Sequence, residues 1–162
     1  MQKPNLTEAL DNIEMLYSDV VAIANEMLSP LFTPINKLVE EVNSKINNYT
    51  IEDIRNYMMR LQLRAYEISE TREKSSLKAE LAAAMRKEKY AMMFNAAQGT
   101  SGTKDNTALL SVSQEIIVES LYNLVANLLK TKQDSLHRLV DALKSMLMSK
   151  MQEAKLSMGG LE

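Results

Sequence analysis

The sequence predicts an all-α protein: an elongated, coiled-coil-like antiparallel helical hairpin carrying a small N-terminal helical head. Composition points there first. The 162 residues hold no Trp, two Phe and six Tyr but twelve Met, with only four Gly and three Pro for turns. Strands draw on aromatic and β-branched residues and need frequent turn residues, so this balance favours helices. Apolar periodicity comes second, because residues recur at three- and four-residue steps along most of the chain. The third observation is a symmetry. Two polar windows, Ser69–Ser76 and Lys130–Ser135, interrupt these seams at similar distances from Gly99-Thr100-Ser101-Gly102. A chain that reverses there brings the windows together, with Glu70 and Glu73 near Lys130 and Lys132.

The head, residues 1–50, reads as two helices. Asn5 and Glu8 can form a capping box for the first, whose stripe is Leu6, Leu10, Ile13, Tyr17, Val20, Ala24 and Met27. Ser29-Pro30 is expected to stop it, since proline disfavours helix at the residue before it. Thr33-Pro34 then starts a second helix with Ile35, Leu38, Val39, Val42 and Ile46 on one face, ended by Asn47-Asn48.

The hairpin, residues 51–158, follows. Thr50 caps the first long helix, Ile51 to Ala97, with Asp53 at the capping-box position. Its seam is Ile54, Met58, Leu61, Ala65 and Ile68, resuming at Leu77, Leu81, Ala84 and Met85. After a turn at 98–105 the second runs from about Asn106 to Met158, with Leu109, Val112, Ile116, Leu121, Leu124, Val125 and Leu128 before its polar window. Leu136, Leu139, Leu143, Met146, Leu147 and Met151 follow. About 45 residues of helix reach roughly 65–70 Å. One chain of this length cannot cover both seams, so a homo-oligomer is expected; the adjacent Met92 and Met93, which cannot both face one partner helix, agree. The tail, 159–162, reads as partly tag-derived.

Charge and chemistry narrow the function. The net charge is −2, yet residues 1–50 carry three basic and seven acidic groups (−4), and residues 51–104 carry ten and seven (+3). Any nucleic-acid contact is therefore local, on the first long helix or at the turn. No cysteine is present, and no apolar run is long enough to span a membrane, so a cytoplasmic protein without membrane contact is expected. His137 is the sole histidine, and Glu40-Glu41 and Glu52-Asp53 are adjacent pairs that diverge on a helix. The Gly99–Lys104 loop lacks the spacing of a phosphate loop. No enzyme, cofactor, metal or small-molecule substrate is expected.

The basic residues are the better lead. Arg86, Lys87 and Lys89 are followed by Tyr90, Phe94 and, in the turn, Lys104; a second patch holds Arg55, Arg60 and Arg64. Single-strand binders combine cations that follow phosphates with rings that stack on bases. The plainer alternative is a salt-bridged helix face, which Glu80 and Glu88 support.

The layout from 51 to 158 resembles the recombination mediators of T4-type bacteriophages: a long helix with Lys87-Glu88-Lys89, Tyr90 and Phe94, then Gly99 and a polar turn, then a second long helix. The resemblance implies an oligomer that binds single-stranded DNA and helps load a strand-exchange recombinase in the cytoplasm of the host cell. It marks Arg86, Lys87, Lys89, Tyr90 and Phe94 as DNA contacts. Met92-Met93 stands between the two aromatics where the family often has them side by side, and the acidic head has no counterpart there. The alternatives are a structural or assembly protein, such as a scaffold or chaperone, and a protein-binding inhibitor or adaptor.

Overall fold

The computed structural model describes residues 6–44 and 48–159, with side chains for 13–44 and 48–157. The Asn5–Glu8 capping box, Leu6 and Leu10, Ile46-Asn47, the Met158 side chain and residues 160–162 lie outside these. Among the described residues the chain is all-α, with four helices and no strand: α1 (Leu6–Ser44), α2 (Ile51–Ala96), α3 (Ser101–Ser111) and α4 (Ser113–Gly159). The two long helices, α2 and α4, pack antiparallel.

Two expected boundaries are corrected. The head is one helix, because α1 runs through both Pro30 and Pro34. Each proline removes one backbone donor and crowds the carbonyl four residues back. Burial of Leu28, Ile35, Leu38 and Val42 on one face outweighs that local preference. The turn is also tighter than 98–105. Gly99 takes φ +113°, and Thr100 caps α3 by accepting from the Thr103 N–H, so helix resumes at Ser101. The returning helix is then broken once, at Val112 (φ −103°, ψ 11°), whose N–H reaches Leu109 O at 3.3 Å. Thr50 does form the expected capping box: its hydroxyl accepts from the Asp53 N–H at 3.1 Å, and Asp53 Oδ2 accepts from the Thr50 N–H at 2.9 Å.

The chain divides into two compact units, Met1–Leu28 with Glu73–Asn127, and Ser29–Arg72 with Leu128–Glu162. The second holds a core of large side chains: Ile35, Ile54, Leu61, Ile68, Leu129, Leu136 and Leu143 are fully buried. Here the polar windows do meet, since Arg72 Nη1 donates to Gln133 Oε1 at 3.0 Å. Lys132 departs from the expected pairing with Glu70 and Glu73. It reaches α1, where it donates to Asn36 Oδ1 and lies 5.5 Å from the Phe32 ring centroid.

The first unit is packed differently. Its buried apolar residues are Ala24, Leu28, Ala79, Ala82, Ala108, Val112 and Val125, so small side chains dominate. Helix axes joined by alanine contacts approach closely and bury little area each. Meanwhile Ile13, Leu16, Leu77, Leu81, Leu109 and Leu110 of the same unit are exposed.

Candidate nucleic-acid interface

The aromatic and basic residues at 86–94 all lie on the last turns of α2, in the first compact unit. Their helical positions separate them into two groups. Arg86 and Lys89 turn toward α4. Arg86 Nε donates to Glu119 Oε2 at 2.8 Å and Lys89 Nζ to Glu115 Oε1 at 2.7 Å. Each step along α2 is matched by a step back along α4, as antiparallel packing requires. The Lys89 bond, with the Glu115 backbone N–H, holds the Glu115 carboxyl below its ordinary range against the opposing effect of desolvation. Both cations are thus committed to carboxylates of the same chain.

The second group is Lys87, Tyr90 and Phe94, at steps of three and four residues and hence on one side of the helix. Lys87 is exposed, and the two rings are half-buried and stacked, with centroids 6.1 Å apart and planes 20° from parallel. The Tyr90 hydroxyl donates to Asp105 Oδ1 of α3, which pushes the phenol pKa up. Lys104, the neighbouring residue, is half-buried, and its backbone N–H bonds Thr100 O at 3.0 Å. One face therefore presents a stacked aromatic pair with Lys87 one turn before it and Asp105 behind it.

The second basic patch lies in the other unit and is largely occupied. Arg60 grips both Glu41 oxygens, at 3.3 and 3.1 Å, with its guanidinium 5.4 Å from the Tyr57 centroid. Arg64 pairs with Glu67 at 2.6 Å one turn along the helix. Arg55 is exposed. A cleft of about 400 Å3 lies beside these groups, lined in part by Lys37, Leu63 and Glu67. His137 is exposed beside a separate open groove of about 530 Å3 with Tyr66, Gln133 and Asp141. Among the described residues no three metal-ligating side chains cluster.

The acidic partners Glu115, Glu119 and Asp105 are the residues that periodicity missed. The same antiparallel register that pairs the polar windows also places Glu115 and Glu119 opposite 86–89. Met92 and Met93 are both exposed, so neither fills the core.

Fold and site together define the class no more finely than an all-α protein built on an antiparallel helix pair. No family model matches the chain, and neither the curated proteins nor the solved structures contain a match to it. No helix among the described residues is long and apolar enough to cross a membrane.

Proposed function

We propose that the chain is a non-catalytic, self-associating accessory protein that binds single-stranded DNA and assists the loading of a recombinase. The observation that carries this reading is the Tyr90–Phe94 stack with exposed Lys87 on the same side of α2. A stacked, half-exposed pair offers ring surface to bases whatever their identity, and base–aromatic stacking contributes about 1–3 kcal/mol per base. Lys87 adds an exposed cation three residues before Tyr90, on the same side of the helix. The resemblance in layout to phage recombination mediators supports the same assignment.

A second reading, a structural or assembly protein without nucleic acid, is favoured by one specific observation. Arg86 and Lys89 are engaged by Glu119 and Glu115, which halves the cationic charge available to phosphates. Salt-titrated binding of a fluorescent poly-dT oligonucleotide separates the two. The DNA reading expects binding at low salt that weakens as salt rises, since counterion release drives it. It also expects a weaker complex for Tyr90→Ala with Phe94→Ala and a shallower salt slope for Lys87→Ala. No binding at about 50 mM salt, where the electrostatic contribution is strong, leaves the assembly reading.

A further inference from the structure

We infer that the acidic N-terminal half of α1 in one copy docks on the basic C-terminal end of α4 in a second copy. The inference rests on the self-association in the reading above and is independent of DNA. Ile13, Leu16, Val20, Ile23 and Met27 recur at alternating steps of three and four, the spacing of a coiled-coil seam. Val20 is half-buried and the other four are exposed. Asp19 and Glu26 stand three residues after Leu16 and Ile23, along the edge of that seam, and residues 13–36 contain no Lys, Arg or His. On α4, Lys144, Met148, Met151 and Lys155 follow steps of four, three and four, so they share one face, with Leu156 beside it. All five are exposed. Glu153 lies on the opposite side, two residues from both Met151 and Lys155, and Asp141, one turn before Lys144, ends the basic stretch.

Charge selects the occupant. Among the described residues no ion pair engages Asp19 or Glu26 on α1, or Lys144 or Lys155 on α4. The other exposed apolar stretches offer no comparable cations. On α2, Arg86 and Lys89 are held by Glu119 and Glu115, and Lys78 lies 5.2 Å from the Tyr122 ring centroid. Glu80 and Glu88 also stand among Leu77, Leu81, Met85 and Met92. Earlier on the same helix, Glu52 and Glu70 bracket Met59, Leu63 and Tyr66 on their own face. Around Leu109, Leu110, Ile116 and Val118, residues 105–129 hold no basic side chain at all. The end of α4 is thus the face that an acidic apolar helix fits. The two faces also match in length, at about 21 Å for 13–27 and about 18 Å for 144–156. Methionines at the centre of the α4 face can adapt to the branched side chains of α1. Either face paired with itself would oppose like charges, whereas α1 on α4 opposes unlike ones. Because the contact joins two different faces, it is heterologous and extends to a ring or a filament.

Charge reversal tests it at exposed positions, where the helices themselves should tolerate the change. Light scattering at micromolar concentration and low salt should show the wild-type chain as an oligomer. Asp19→Lys with Glu26→Lys should reduce it to monomer, and so should Lys144→Glu with Lys155→Glu, each with an unchanged helical circular-dichroism signal. Mixing the two charge-reversed proteins should restore the oligomer, because each then carries the face that the other needs. All four substitutions in one chain should restore it as well, a rescue that a merely local role for these side chains would not produce. If the wild type is oligomeric and both reversed proteins keep its mass, the contact is overturned and the acidic face is left to a basic helix of another protein. Failure of both the mixture and the fourfold variant to reassemble overturns it too. A wild-type monomer overturns self-association as a whole, while the poly-dT result still decides DNA binding.

Discussion

The Tyr57 phenol donates a 2.8 Å hydrogen bond to Glu41 Oε1, a carboxylate that Arg60 also holds through both terminal nitrogens. This ties the C-terminal part of α1 to the start of α2 within one compact unit. The Glu41 bond, followed by burial and the Glu41 charge, pushes the Tyr57 pKa up to about 12, with Arg60 opposing. The Tyr49 ring packs against Tyr57 at 5.1 Å, and its hydroxyl donates to Val42 O, closing the corner between the helices.

Tyr57→Phe should therefore lower stability at neutral pH by about 1.5 kcal/mol, the low end for a hydrogen bond to a charged group. The folded phenol keeps its proton to about 12, whereas the unfolded one releases it near 10.0. The stabilisation is thus whole below pH 10 and fades as pH rises through 12. Urea unfolding of both proteins across this range should show their difference closing. A gap that stays constant with pH contradicts the assignment.

Two glycines should respond to alanine with opposite signs. Gly99 has φ +113°, and an added Cβ would sit 3.4 Å from the Thr103 side chain. Gly99→Ala should cost at least about 1 kcal/mol in backbone strain. Gly102 lies inside α3 with nothing within 4 Å of an added Cβ. Gly102→Ala should gain up to about 1 kcal/mol, the difference in helix propensity. Thermal melts of the two variants on either side of the wild type confirm the tight turn; equal shifts refute it.

Buried and exposed side chains should also differ in their sensitivity to truncation. Ile68 is fully buried, and Ile68→Ala should destabilise by about 2–5 kcal/mol through lost burial and the cavity left behind. Leu110 on α3 is 77% exposed, and Leu110→Ala should change stability by less than about 0.5 kcal/mol. Denaturant titration of each variant measures both; a large loss at Leu110 would show that its surroundings are packed.

Much of the fold was legible in the residues. Helix periodicity from Ile54 to Ile68, the Thr50–Asp53 cap and the reversal at Gly99 are local properties, because spacing, capping chemistry and φ depend on near neighbours. The seam expected to resume at Leu77, Leu81, Ala84 and Met85 is exposed instead, since Ala79 and Ala82 take the buried face. The meeting of the polar windows was also legible, since a rigid helix converts distance from the turn into position on the partner, and Arg72 with Gln133 bears that out. The path of α1 through Pro30 and Pro34 was not. Local preference there argues for a stop, and only the burial of Leu28 and Ile35 on one continuous face overrides it. The candidate site divides in the same way. The Lys87, Tyr90 and Phe94 spacing can be read from the chain, but helix rotation decides which cations turn inward. That rotation is set by packing across two helices, so the pairing of Arg86 with Glu119 and Lys89 with Glu115 was decided by tertiary structure alone.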